Sequence, residues 1–133
     1  MNFTFFLLPL SVIKSASPGS DSDGSYLLLN GIKIYRLHLV GTVINLDLDE
    51  DKGSGYLILD DTFSSVLVHF QRPLFKYFEN IGKGDMVEVL GTVENTDNGV
   101  ILSLNNIKKI NLERYMYNKL ECIKNLQELM HGI

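Results

Sequence analysis

The residues able to do acid–base or ligand chemistry are few: adjacent Asp60 and Asp61, three scattered histidines, His38, His69 and His131, and one cysteine, Cys122. Neighbours on a strand point to opposite faces, so Asp60 and Asp61 do not converge on one substrate atom, and the pair reads as a turn. The histidines and the cysteine lack metal-ligand spacing. No Gly-x-Ser-x-Gly, His-Glu-x-x-His or nucleotide-binding motif occurs, and Gly82-Lys83-Gly84-Asp85 is too short to cradle a phosphate. The expectation is therefore a non-enzyme with no catalytic residue, no metal and no cofactor. What the sequence does offer is stacking and charge. Tyr56, His69 and Phe70 supply rings and Lys52 and Arg72 supply cations, the combination that holds the bases and backbone of a single-stranded nucleic acid.

Those residues sit in and beside two strand patterns, Tyr56 to Leu59 and Val66 to Phe70, joined by the polar stretch that contains Asp60 and Asp61. A longer pattern precedes them. Its apolar residues fall at odd positions early (Leu37, Leu39) and at even positions later (Ile44, Leu46, Leu48), with Gly41 between, which predicts a bulge or sharp bend near the glycine and one strand serving two sheet surfaces. After Phe70, Pro73 at a first helical position and Leu74, Phe75, Phe78 and Ile81 at helical spacing predict a helix over 73–81. Val87, Val89 and Val93 share one face of the next strand, and Glu94 to Gly99 reads as a hairpin loop into the last. Strands are expected near 32–47, 55–60, 65–70, 85–94 and 99–107, forming a closed or nearly closed barrel without parallel strands.

The long strand with Val40-Gly41-Thr42-Val43, the acidic loop, Leu59-Asp60-Asp61-Thr62 and a strand ending in an aromatic resemble the first strands of the OB-fold, a five-stranded barrel that binds oligonucleotides or oligosaccharides. Within that fold the chain resembles the middle subunit of replication protein A and the telomere-capping Stn protein over residues 26–110. Those relatives have a glycine-containing turn after the second strand, where this chain has Asp60-Asp61-Thr62-Phe63-Ser64-Ser65. The resemblance implies an all-β barrel with a helix between strands three and four and a long C-terminal helix. It also implies a face for single-stranded DNA on strands two and three, with Phe70 at the position that stacks on a base. Read from its own parity with Val66 and Val68, Phe70 is equally a core residue.

Three regions are expected: an apolar N-terminal segment and flexible loop (1–25), the barrel (26–110) and an assembly helix (111–133). Residues 1–13 are strongly apolar, and Ser15-Ala16-Ser17 after them resembles a secretory cleavage site. No basic residue precedes the run, however, and Pro9 interrupts it, so alternating Phe6, Leu8, Leu10 and Val12 read instead as an extended segment packed along the barrel. Residues 15–25 are small and polar and read as a flexible loop. Tyr26 to Gly31 reads as a short strand and an Asn30-Gly31 turn.

From Asn111, a good N-cap, the period becomes helical, with Glu113 in the first turn and Gly132 as a stop. Leu112, Met116, Leu120, Ile123 and Met130 form one apolar stripe, and Tyr115, Cys122, Leu126 and Leu129 a second beside it. Two stripes make a wider apolar face than one barrel end covers, so Met116, Leu120, Ile123, Leu126 and Met130 are expected to bind a partner.

The net charge of −4 argues against tight nucleic-acid binding, which draws on phosphate neutralisation. The two loops flanking the expected DNA face are themselves acidic, through Asp47, Asp49, Glu50, Asp51, Glu94 and Asp97. The resemblance implies an intracellular OB-fold subunit of a replication protein A-like complex in DNA replication or repair. It is expected to contact single-stranded DNA weakly through Lys52, Tyr56, His69, Phe70 and Arg72 and other OB-fold subunits through its helix, with no membrane partner. The competing reading is a structural scaffold of the same fold that joins proteins and never touches nucleic acid.

Overall fold

The computed structural model describes residues 4–131. Phe5–Leu7 (β1) leads into a one-turn helix, Val12–Ser15 (α1), and then into three short strands, Ser17–Asp21 (β2), Gly24–Leu29 (β3) and Ile32–Ile34 (β4). Five further strands follow: Arg36–Asp49 (β5), Ser54–Asp60 (β6), Ser65–Gln71 (β7), Met86–Thr96 (β8) and Gly99–Lys109 (β9). A 3-10 helix, Arg72–Glu79, lies between β7 and β8, and Leu112–His131 (α2) follows β9.

β5 closes the barrel. Its first half pairs with β8 and its second half with β6, and Thr42 stands opposite both Met86 and Asp60. The inward residues are Leu37, Leu39, Val43 and then Leu46 and Leu48, so the parity does change. The extra residue is Ile44, where the register with β6 slips, and not a neighbour of Gly41. Gly41 serves a different purpose: a Cβ there would lie 2.8 Å from the Asp60 carbonyl oxygen and 2.9 Å from the Leu59 side chain. Barrel closure also includes one short parallel contact, Val68 opposite Leu102 and His69 opposite Ser103, where only antiparallel pairs were expected.

The expected flexible loop over 15–25 is corrected by the structure. β2 pairs with β3 through all five of its residues, and β3 pairs with β4 across an Asn30-Gly31 turn with φ of 49° and 79°, the left-handed pair such a two-residue turn requires. Composition missed β2 because its order comes from partners. The Asp23 N–H bonds Asp21 Oδ1 in the turn, Gly19 lies directly under the Tyr26 ring, and Asn95 of β8 donates to the Gly19 carbonyl. The strand expected from residue 32 is likewise two elements, β4 in the three-stranded sheet and β5 in the barrel.

The N-terminal segment is part of the core. β1 runs parallel to β5, extended only through Leu7, and Leu8, Leu10 and Val12 are buried in one contiguous cluster with Leu27, Leu29, Ile34 and the barrel interior. Residues 1–3 of the apolar run and Gly132, the expected stop of the last helix, lie outside the described residues.

The helix expected over 73–81 is a 3-10 helix ending at Glu79. Three residues per turn eclipse positions i and i+3, which sets Phe75 and Phe78 above the same neighbour. That neighbour is Phe70, stacked on Phe78 at 4.4 Å between centroids and edge-on to Phe75 at 5.8 Å. Phe70 is 1% exposed, and its ring also fills the space a Cβ on Gly55 would need. It is therefore core, and the base-stacking role that the resemblance implied for it is corrected. Phe70→Ala is expected to lower stability by about 3–5 kcal/mol, as large aromatic truncations in cores do. Urea unfolding followed by circular dichroism checks this, and a loss under about 1 kcal/mol contradicts the core assignment.

Candidate nucleic-acid and partner surfaces

Strand register decides which of the remaining candidate residues meet. Tyr56 of β6 lies opposite His69 of β7 and, on its other side, opposite Asp47 of β5. Both rings are half-buried on the outer face of the barrel. His69 Nε2 is 2.7 Å from Glu94 Oε2 across the closing seam, so the imidazole already has an acidic partner. Arg72 sits past the end of β7 and is committed to the β5–β6 loop: its N–H bonds the Gly53 carbonyl at 2.8 Å, and Nη2 donates to the Glu50 carbonyl at 2.7 Å. Gly53, with φ of 68°, permits this close approach. Lys52 is exposed in the same loop, whose N–H groups at Lys52 and Gly53 both bond Asp49.

The structure thus brings Tyr56 and His69 together with Lys52 and Arg72 at one end of the β6–β7 face, and turns Phe70 away into the core. The face carries one phenol ring and one imidazole, edged by Asp47, Asp49 and Glu94. It can stack on a base and offer two cations to phosphates, but the surrounding carboxylates oppose a polyanion.

The second surface is α2. Asn111 caps it as expected, Oδ1 accepting the Arg114 N–H at 2.8 Å. The stripe of Tyr115, Cys122, Leu126 and Leu129 faces the barrel, with Cys122 buried beside Val40 and Ile110. Leu126, expected to bind a partner, is half-buried against the chain's own core. The other stripe is exposed: Leu112, Met116, Leu120, Ile123 and Met130 all retain about half or more of their surface.

Sequence reasoning did not find what fastens the helix, because the key residue reads as one outward position of a strand. Glu88 of β8 is buried under α2, and its Oε1 accepts Asn118 Nδ2 at 2.9 Å and Arg114 Nη2 at 3.2 Å, with His38 Nε2 at 2.8 Å. Lys108 Nζ lies 3.7 Å from Oε2. Farther along, Asn125 donates to the Leu7 carbonyl, and Asn30 donates to the Leu129 carbonyl in the last turn.

Among the described residues no cluster could hold a metal ion, and no helix is long and apolar enough to cross a membrane. Asp60 and Asp61 are turn residues: Asp60 Oδ2 accepts the Thr62 N–H, and Asp61 Oδ1 accepts those of Phe63 and Ser64.

A closed five-stranded barrel with a helix between its third and fourth strands and this strand order is the OB-fold. The chain is similar over nearly its whole length to one chain of the S. pombe Stn1-Ten1 complex, with 16% identity, 96% of this chain and 95% of that chain covered, and a TM-score of 0.82. It is equally similar to one chain of a replication protein A heterotrimer bound to single-stranded DNA, with 18% identity, coverage of 95% and 98%, and a TM-score of 0.80. A chain from the yeast Stn1 and Ten1 structure matches at 15% identity over 78% of this chain and 58% of that one, with a TM-score of 0.64. No protein-family model and no curated protein sequence matches.

Burial raises the pKa of Glu88, but the hydrogen bonds from Arg114 and His38 outweigh it and hold the carboxyl below its ordinary value of 4.5. A carboxylate with a depressed folded-state pKa stabilises the fold fully above its unfolded pKa, and that stabilisation is lost as pH falls through the folded value. Glu88→Gln is therefore expected to melt lower than wild type at pH 7, with the gap narrowing below pH 4.5. Thermal melts across pH 3–7 check this, and a gap that widens on acidification contradicts the clamp.

Proposed function

We propose that this chain is an intracellular OB-fold subunit of a replication protein A-like or Stn1-Ten1-like complex acting in DNA replication, repair or telomere maintenance. It joins other OB-fold subunits through the exposed stripe of α2 and touches single-stranded DNA weakly with Tyr56, His69, Lys52 and Arg72. The observation that carries this reading is the division of α2 into two faces. One closes the chain's own barrel, and the other leaves Leu112, Met116, Leu120, Ile123 and Met130 open along about 27 Å of helix. An apolar stripe of that length on a soluble domain marks an interface. The two full-length structural likenesses come from multi-chain complexes, one of them bound to single-stranded DNA, and support the same reading.

A scaffold that holds partners without touching DNA is favoured by one specific feature, the carboxylates of Asp47, Asp49 and Glu94 beside Tyr56 and His69. A fluorescence-anisotropy titration with a labelled dT oligonucleotide separates the two. Weak binding at low salt that fades as salt rises, and weakens further in Tyr56→Ala by about 1–3 kcal/mol, supports DNA contact. No binding at low salt leaves the scaffold. For assembly, Ile123→Glu is expected to leave the melting temperature unchanged, since the side chain is exposed, and to abolish binding of a synthetic amphipathic helix. Retained binding contradicts the assembly role of α2.

A further inference from the structure

The sequence holds two Asn-Gly pairs, Asn30-Gly31 and Asn98-Gly99, each at the turn of a β-hairpin. Asparagine before glycine is the amide most prone to spontaneous deamidation, because no side chain on the glycine keeps its backbone nitrogen from the asparagine side-chain carbon. A Cβ on either glycine would meet no atom within 4 Å, so packing shields neither pair. Hydrogen bonding separates them. Asn98 is exposed, its own N–H bonds the Thr96 hydroxyl at 3.3 Å, and no described residue holds its side-chain amide. The Asn30 side chain is clamped: Nδ2 donates to the Leu129 carbonyl at 2.7 Å and to the Met130 carbonyl at 3.3 Å.

Both acceptors belong to the last turn of α2, where a helix leaves its final four carbonyls without partners inside it. The clamp therefore ties the β3–β4 turn to the C-terminal end of α2 and satisfies two of those carbonyls. A neutral amide suits the place. The C-terminal end of a helix carries partial negative charge, so a carboxylate there is repelled and has no proton to donate.

We infer that Asn30 is a deamidation site gated by the docking of the end of α2, and that its conversion unfastens the last turn of the helix. In the reaction the Gly31 backbone nitrogen bonds Cγ of Asn30 while the Cγ–Nδ2 bond breaks. The proton of the Gly31 N–H goes to the departing nitrogen, which leaves as ammonia, and a succinimide ring remains. Water then opens the ring. Cleavage at Cγ gives aspartate, and cleavage at the backbone carbonyl gives isoaspartate, with the chain rerouted through the former side chain; water is consumed, ammonia is released, and nothing is oxidised or reduced. Ring closure requires the side chain to turn back on its own backbone, so both bonds to α2 must first be given up. Either product has a carboxylate in place of the donor. The helix end then stays released, while Asn125 and Leu126 keep the preceding turn in place. Modification accumulates with the time that the helix end spends undocked.

The test follows deamidation at both sites by peptide mass spectrometry while the intact chain is incubated at mildly alkaline pH, with the same chain unfolded in urea as the reference for each site. Folding is expected to slow Asn30 about tenfold more than Asn98, the protection that two modest hydrogen bonds give. Met130→Pro supplies the release: the Met130 side chain is half-exposed, so the barrel keeps its melting temperature, while proline breaks the last turn and moves both carbonyls. In that variant Asn30 is expected to lose its extra protection. Equal protection at both sites, or full protection of Asn30 in Met130→Pro, overturns the gate. The consequence is read by amide hydrogen exchange across residues 126–131, which is expected to be faster in Asn30→Asp than in the wild-type chain. Exchange in Asn30→Asp equal to wild type overturns the release.

Discussion

The barrel depends on one strand pairing along two edges. A strand that pairs with β8 through its first half and β6 through its second must rotate its hydrogen-bonding direction partway along, and a bulge supplies that rotation at the cost of one unpaired residue. In β5 that residue is Ile44, which turns its side chain outward and remains 43% exposed. Without the slip, Leu46 and Leu48 would face solvent, the β5–β6 pair would shed its half of the core, and Phe70 would lose the barrel wall it packs against. The position of the β6–β7 turn, and with it the contact of Asp61 with Lys119 of α2, follows from that single offset.

α2 is fixed to this barrel by apolar and polar contacts together. Its apolar contacts are the small cluster around Val40, Ile110 and Cys122 and the packing of Leu126 and Leu129 on the main core, and beside them stand polar ones: Glu88 with Arg114 and Asn118, Lys119 with Asp61, Asn125 with a strand carbonyl. Polar contacts are directional, whereas apolar area is tolerant of sliding. The helix is thereby held in one rotation about its axis, which keeps its second stripe pointed outward. The burial that holds Cys122 in place also pushes its thiol up to about 11, so the sulfur behaves as packing and not as a nucleophile.

How much of this was legible in the sequence differs by element, for physical reasons. Alternation located the five barrel strands, because each is buried on one face. It placed the bulge at Gly41 instead of Ile44, since a glycine announces backbone freedom while a bulged isoleucine looks like any other strand residue. β2 was invisible: five small residues, Ser17-Pro18-Gly19-Ser20-Asp21, form a strand only because β3 lies alongside. The two stripes of α2 were legible because helical period survives in composition: Met116, Leu120, Ile123 and Met130 lie exposed as expected, while Leu126, at the border of the two stripes, packs on the core. The meeting of Tyr56 with His69 needed the register, and the opposition of Asp47 to Tyr56 needed it again.

The bond from Asn125 to the Leu7 carbonyl joins residues 118 apart in the chain, and β1 can complete its place only when α2 is present to receive it. β1 also pairs with β5 and supplies its following residues to the barrel core, so the N-terminal segment waits while most of the chain is made. Ribosomal synthesis delivers residues at about 5–20 per second, which leaves Phe5, Phe6 and Leu7 without this partner for several seconds. Long-range closure of this kind is slow by topology as well. The N-terminal segment is thus among the first elements made and the last to be fully fastened.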